Sequence, residues 1–168
     1  VLGYVSQFLR VVPRVPTLDV VAEPLRHLGV PAGDAETRAR ALLQKLNVPE
    51  QLWSLSPTTF SGGEQQRVNI ARGFAHAYPA MLLDEPTTHL DLYHKVKILK
   101  LLREVAHSTQ KSILFSTHEI GLAIQLCDHI LVVQPGQAHF GNPCELIEAG
   151  DFERLFPRDT IHFDPQSG

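Results

Sequence analysis

Two adjacent carboxylates, Asp84 and Glu85, stand where the apolar run "AMLL" gives way to "DEPT". Neighbouring side chains on a strand point to opposite sides, so the two acids can do different work. We expect Asp84 to hold a hydrated Mg²⁺ and Glu85 to act as the general base or to orient an attacking water. That division of labour suits phosphoryl transfer, in which catalysis is mostly positioning and charge stabilisation. The alternative is an acidic cap where a strand meets a loop.

A second candidate site is "SGGE", in which Ser61, Gly62, Gly63 and Glu64 precede a long helical pattern. A helix N-terminus offers unpaired N–H groups and the positive end of the helix dipole to an anion. The two glycines allow a phosphate to approach the backbone closely. Ser61 can cap the helix and offer its hydroxyl. The alternative is an ordinary serine cap followed by a flexible glycine pair.

The third candidate is His118, in the "STH" that follows the apolar run "SILF". At the end of a strand, this histidine could contact a γ-phosphate and report its presence. A lone histidine is more often a satisfied surface or core residue, and that alternative stays open here. Ser116 and Thr117 also follow the same apolar run and lead into a polar loop.

The elements that would position these residues predict an α/β fold. From residue 80 onward, apolar strands alternate with helices, which predicts a parallel sheet with right-handed crossovers. In such a sheet the ligand lies outside the carboxyl ends of the strands. The predicted strands are "VLGYVS", 80–84, 112–116 and 129–133; the predicted helices lie near 18–28 and at 34–47, 62–77, 92–107, 119–127 and 143–156, with Asp34 as the cap of the second.

Composition excludes several classes of protein. The 168 residues are enough for one domain with a core, and their net charge of −3 argues against a nucleic-acid-binding surface. The longest apolar runs are too short to cross a membrane, so we expect no direct membrane insertion. The two cysteines, Cys127 and Cys144, lack the CxxC spacing of a zinc site and fit a reducing cytosol.

The order of the motifs carries more weight than any one of them. The succession "YVSQ", "FSGGEQQRVNIAR", "MLLDEPT", "HLD" and "STH" resembles the ATP-binding cassette (ABC) ATPases over nearly the whole chain. The resemblance implies a P-loop NTPase-type parallel sheet, a partial ABC nucleotide-binding domain, with an inserted helical subdomain. It implies one partial domain over 1–168: a helical and signature subdomain at about 8–78, a RecA-like core from 1–7 and 79–140, and a C-terminal extension at 141–168.

The resemblance also implies ATP and Mg²⁺ as cofactors and a role for each motif. Phe60 and Glu64 are mild departures, since leucine and glutamine are commonest at these positions of the family. The resemblance implies that Gln7 is the Q-loop glutamine, which is a metal ligand and a lever to a partner subunit. It implies that the signature loop consists of Ser61, Gly62, Gly63 and Glu64. It further implies that Asp84 and Glu85 are the Walker B pair, that Asp91 lies in the D-loop and that His118 is the switch histidine.

One motif of the family is not found in residues 1–168: the G-x-x-x-x-G-K-[ST] loop, whose lysine reaches the β- and γ-phosphates. In the family this Walker A loop precedes the Q-loop, so we expect the chain to be truncated at its N-terminus. Family members dimerise head to tail, with each ATP between one subunit's Walker A and the other's signature loop. We therefore expect residues 1–168 alone neither to bind ATP tightly nor to hydrolyse it, which calorimetry with ATP can test.

Two different branches of the family are suggested by the two halves of the chain. Residues 1–79 resemble the ATP-binding subunit of the phosphonate C–P lyase system, whereas residues 87–164 resemble the ATPases of iron–siderophore, haem and cobalamin importers. One hypothesis is a mosaic joined near residues 82–87; the alternative is a single divergent cassette protein. Sequencing one intact DNA molecule across codons 75–95 decides between them.

These resemblances leave two functions open. The first is an ATPase subunit that powers import through a membrane permease, and the second is a soluble accessory ATPase of a C–P lyase complex. In both cases we expect a second ABC ATPase subunit, identical or different, and a further partner that docks on residues 8–50. The expected location is the cytoplasm, including the inner face of the plasma membrane.

Overall fold

The computed structural model describes residues 2–6, 13–76, 78–88 and 90–155. The chain divides into two compact units, Val1–Thr117 and His118–Gly168. The implied Q-loop glutamine, Gln7, lies outside the described residues. The finer division into a helical subdomain, a RecA-like core and a C-terminal extension stays a prediction.

The first unit is built on a three-stranded parallel sheet. Its strands are β1 (Leu2–Val5), β2 (Ala80–Leu83) and β3 (Ser112–Phe115), with β2 in the centre. The register pairs Val5 with Leu83 and Leu83 with Phe115, so all three strands end at one level. The predicted α/β fold with a parallel sheet is thereby confirmed, and the ends that bind ligands in such sheets lie side by side.

The two faces of this sheet differ in burial. On one face Val5, Met81 and Leu83 are at most 5% exposed. On the other face Tyr4 and Leu114 are 60% and 58% exposed. Because successive side chains of a strand point to opposite faces, the prediction of buried strands is correct for one face only.

Three helices occupy the chain between β1 and β2. They are α1 (Thr17–His27), α2 (Ala32–Lys45) and α3 (Gly62–Ala75), and all three pack against one another. Two short 3-10 turns, Glu50–Leu52 and Pro57–Thr59, connect α2 to α3. The predicted inward face of α3 is confirmed, since Val68, Ala71, Phe74 and Ala75 are all buried.

The start of α2 differs from the prediction. Pro31 is the N-cap residue, with φ −53° and ψ 145°, and Asp34 lies inside the first turn. Proline fixes the φ angle and leads the chain directly into the helix, so Asp34 is not needed as a cap. Its carboxylate still lies near the positive end of the helix dipole, where a negative charge is favourable.

The helix that follows β2 is α4 (Leu92–Thr109). The sequence predicts Leu92, Val96, Leu99, Leu102 and Ala106 on its inward face, of which Val96 and Ala106 are half-buried. Leu99 and Leu102 are buried as predicted, but Leu92 is 66% exposed. The buried positions of α4 begin at Ile98, so its first turn extends beyond the part of the helix that packs.

The second unit contains α5 (Ile120–Leu126), β4 (Ile130–Gln134), β5 (Gln137–Gly141), α6 (Pro143–Glu148) and a 3-10 turn, Glu153–Leu155. The core of this unit consists of Val132, Leu146 and Phe152. Asp151, which is 3% exposed, accepts hydrogen bonds from His139 at 2.6 Å and from Arg154 at 3.0 Å.

Two predictions for this unit need correction. Within the described residues, β4 pairs with β5 in an antiparallel hairpin and not with the parallel sheet. Gly136, with φ 79°, makes the tight reversal between these strands possible. The tail helix ends at Glu148 and not at 156, because Gly150 adopts a left-handed conformation with φ 71° just beyond it.

None of the helices in the described ranges combines the length and the apolar character that crossing a membrane requires.

Candidate functional site

The carboxyl edge of the parallel sheet fixes the backbone of both central candidates. Asp84 directly follows β2, and its N–H donates to the Val5 carbonyl at 3.0 Å. Ser116 directly follows β3, and its N–H donates to the Leu83 carbonyl at 3.1 Å. The ladder therefore continues one residue past the strands and brings Asp84 beside Ser116, 32 positions apart in sequence.

The hydroxyl of Ser116 joins two neighbouring residues of the loop after β2. It donates to Asp84 Oδ1 at 2.9 Å and accepts the backbone N–H of Glu85 at 2.9 Å. A hydroxyl has one donor and two acceptor positions, so both bonds form at once. From the sequence alone, Ser116 is recognisable only as a residue at the end of a strand. Its bonds to Asp84 and Glu85 depend on the register between β2 and β3.

Glu85 has an unusual backbone. Its φ is 43°, in the left-handed region that residues other than glycine rarely adopt. Such a conformation costs about 1–3 kcal/mol and persists only where the surroundings hold it. The bond to Ser116 holds the Glu85 N–H, and Thr88 Oγ1 donates to Glu85 Oε2 at 2.8 Å. The carboxylate and the backbone of Glu85 are therefore both held.

The donor set at this edge fits Mg²⁺, which prefers oxygen ligands. The Asp84 carboxylate and the Ser116 hydroxyl supply oxygens, and Tyr4 Oη lies 3.4 Å from Asp84 Oδ2. The described residues contain no cluster of three or more histidine, cysteine or acidic side chains that could enclose a metal. Mg²⁺ commonly binds through one or two carboxylates with waters and phosphate oxygens, so a single aspartate suits it.

The expected signature loop, Ser61 to Glu64, lies at the start of α3 and forms a complete capping box. Ser61 is the N-cap residue, and its hydroxyl accepts the backbone N–H of Glu64 at 3.4 Å. In return, Glu64 Oε2 accepts the hydroxyl of Ser61 at 2.6 Å and its N–H at 2.9 Å. These bonds, first that of the hydroxyl and then that of the N–H, lower the pKa of Glu64. The Glu64 carboxylate therefore already accepts from the hydroxyl and the N–H of Ser61, two donors that would otherwise be offered to an incoming anion.

Gly63 lies against the loop that precedes α4. A Cβ atom added to Gly63 would lie 2.7 Å from Leu90 Cδ2, so a larger residue there requires the Leu90 side chain to shift. Asp91, the next residue after Leu90, caps α4 by accepting the N–H of His94 at 2.9 Å. This backbone bond is the largest cause of the lowered pKa of Asp91. The structure thus brings Gly63 close to the segment that carries Asp91.

The other two candidates are placed differently. His118 is exposed and begins the second compact unit, where its carbonyl accepts the N–H of Ile120 at 3.1 Å. Gln7 lies outside the described residues, so its role as a metal ligand stays a prediction. Thr88 was not predicted from the sequence to belong to the site. A threonine three residues after an acidic residue at a strand end nevertheless indicates a hydrogen bond like the one from Thr88 to Glu85.

Comparison with known proteins shows the family. The family model described as "ABC transporter" matches residues 1–88, which is more than half of the chain. The chain therefore belongs to the ABC transporter family.

Similar curated proteins include several ATP-binding proteins. An uncharacterized ABC transporter ATP-binding protein of Mycobacterium tuberculosis is 32% identical over 95% of this chain and 48% of its own length. The cobalamin import ATP-binding protein of Halobacterium salinarum is 37% identical over 66% of this chain and 28% of its own length. The glutamine transport ATP-binding protein of Escherichia coli is 36% identical over 91% of this chain and 64% of its own length. The chain spans about half the length of the first of these relatives.

Solved structures agree with the fold. A transporter described as metal-chelate type, in an inward-facing conformation, has a TM-score of 0.80 and 28% identity, covering 92% of this chain and 64% of that chain. An ATP-binding cassette in a dimeric, post-hydrolysis state bound to ADP and phosphate has a TM-score of 0.74 and 28% identity, covering 84% of this chain and 62% of that chain. The α/β architecture is thus that of ABC nucleotide-binding domains.

Proposed function

We propose that this chain is part of the ATP-binding subunit of an ABC importer, which binds and hydrolyses ATP in a head-to-tail dimer. The observation that carries the proposal is the Asp84–Glu85 pair, fixed by Ser116 at the carboxyl edge of a parallel sheet. The names of the relatives support import, since one serves cobalamin import and another glutamine transport.

In this proposal the two acids have separate tasks. Asp84, together with Gln7, holds Mg²⁺, which when bound supplies positive charge beside the phosphate oxygens. Glu85 takes a proton from the attacking water or orients it. The Thr88 hydroxyl, 2.8 Å from Glu85 Oε2, keeps the carboxylate oriented before substrate arrives.

The signature residues act across the dimer, and His118 acts at the edge of the sheet. Ser61, Gly62, Gly63 and Glu64 at the start of α3 meet the γ-phosphate of an ATP held mainly by a second subunit. Asp91 lies in the same contact region, and the close packing of Gly63 on Leu90 supports this placement. His118 contacts the γ-phosphate from the end of β3.

Glu85→Gln in the full protein tests the assignment. This variant keeps the shape of the side chain but cannot take a proton, so ATP binding and dimerisation persist while turnover falls by about 10²- to 10⁴-fold. Size-exclusion chromatography with ATP and a phosphate-release assay measure the two effects. Glu104→Gln, an exposed change on α4, is the matched control and keeps the parent rate. Undiminished hydrolysis in Glu85→Gln removes this residue from its assigned role.

A second candidate function is a soluble accessory ATPase of a phosphonate C–P lyase complex. It is favoured by the likeness of residues 1–79, which contain the segment 8–50 expected to dock on a partner. An importer subunit instead docks on a permease at the inner face of the plasma membrane. A pull-down of the full protein from its own cells, scored for permease against C–P lyase subunits, separates the two candidates.

A further inference from the structure

The side chain of Ser116 contacts both residues of the acidic pair. Its hydroxyl is 2.9 Å from Asp84 Oδ1 and 2.9 Å from the Glu85 nitrogen. Both partners lie on the loop after β2, whereas Ser116 follows β3. Losing this hydroxyl therefore breaks two bonds between two strands at once.

The backbone of Glu85 shows why the bond to its N–H is important. With φ at 43°, this residue is held away from the conformations that a glutamate ordinarily prefers. The hydroxyl of Ser116 satisfies the N–H in this orientation. Without that hydroxyl, the Glu85 N–H loses this acceptor and Asp84 Oδ1 loses a donor, so both acids are held less firmly.

We propose that Ser116 is a positioning residue, which fixes the metal-binding carboxylate of Asp84 and the backbone of the base Glu85 as one unit. The inference rests on the proposed ATPase function, because it assigns Ser116 to the same site. Ser116 acts through the two acids and need not touch the substrate.

Three variants of the full protein test this role. Ser116→Ala removes the hydroxyl. Ser116→Thr keeps it, and the exposed position leaves room for the added methyl group. Ser112→Ala is the matched control, because Ser112 is an exposed serine on the same side of β3, four residues earlier.

The kinetic readout separates positioning from binding. We expect Ser116→Ala to lower kcat for ATP hydrolysis by about 10- to 100-fold, since a misplacement of about 1 Å has effects of this size. The Mg²⁺ concentration for half-maximal rate rises several-fold, as Asp84 loses its fixed orientation, while KM for ATP stays within about threefold. Ser116→Thr keeps at least about half of the parent kcat, and Ser112→Ala matches the parent.

A second readout is independent of catalysis. Residue-resolved amide exchange in the full protein should show faster exchange of the Glu85 N–H in Ser116→Ala than in the parent or in Ser116→Thr. If the parent itself does not hydrolyse ATP, the proposed function fails, and amide exchange still decides whether Ser116 holds Glu85. An Ser116→Ala protein with parent-like kcat, Mg²⁺ requirement and amide exchange overturns the inference. Equal defects in the alanine and threonine variants overturn it as well.

Discussion

Gly73→Ala tests how closely α3 must pack on the parallel sheet. A Cβ atom at Gly73 of α3 would lie 2.5 Å from Val5 Cγ2 and 2.9 Å from Met81 Cε. Carbon atoms in good contact are about 3.5–4.0 Å apart, so the helix or the strands must move by about 1 Å. Val5 and Met81 are 5% and 1% exposed, so neither side chain can swing out into solvent.

Two opposing terms set the size of the effect. Overpacking a well-packed core costs about 1–3 kcal/mol. Alanine in place of glycine in a helix interior returns about 0.8–1.0 kcal/mol. Because two buried atoms are approached within 3.0 Å, we take the overpacking cost from the upper half of its range. The expected net loss in the free energy of unfolding is about 1–2 kcal/mol.

Urea unfolding followed by tryptophan fluorescence measures this loss. The chain has a single tryptophan, Trp53, which is 5% exposed in the first unit and reports on that unit alone. Gly33→Ala in α2 is the matched control, because a Cβ atom there meets nothing within 4 Å. That variant should gain about 0.5–1 kcal/mol. If Gly73→Ala is as stable as the parent or more stable, the close packing of α3 on the sheet is refuted.

Two further predictions concern the same unit. Leu83→Ala, on the buried face of β2, should lower the free energy of unfolding in urea by about 2–5 kcal/mol. Leu114 on β3 is 58% exposed, so Leu114→Ala should stay within about 0.5 kcal/mol of the parent. Similar losses for both variants would contradict a sheet with one buried and one exposed face. Burial lowers the pKa of His76, so the unfolded chain binds a proton there more readily and stability falls as the pH drops through about 6.5. His76→Gln should reduce the difference in unfolding free energy between pH 5.5 and 7.5, and an unchanged difference would show that His76 does not contribute.

Local patterns were sufficient to predict α3. The apolar periodicity of α3 and the cap at Ser61 are both legible in the sequence, and both are confirmed. The prediction failed for the choice of strand partner and for the extent of helix packing. β4 joins β5 and not the parallel sheet within the described residues, because a two-residue turn with Gly136 makes that partner the closest one. Leu92 has the spacing of an inward residue, but periodicity cannot show where packing begins.

In the candidate site, too, some features are recognisable from the sequence and others are not. Asp84 and Glu85 are recognisable because adjacent acids after an apolar strand are a local pattern. The bridging bonds of Ser116 depend on the pairing of Leu83 with Phe115, which no local pattern specifies. The positive φ of Glu85 is also unexpected, since glutamate has no intrinsic preference for it. A sequence can thus name acids of this kind but not the residue that orients them.

Glu64 is the departure from the family pattern whose importance only the structure shows. By residue type it replaces the commoner glutamine and keeps a similar size. In the structure its carboxylate accepts both the hydroxyl and the N–H of Ser61. These bonds favour the ionised carboxylate and so lower the pKa of Glu64. A phosphate that reaches the hydroxyl and N–H of Ser61 therefore competes with the Glu64 carboxylate for both donors, whereas a glutamine would offer the same acceptor without its charge.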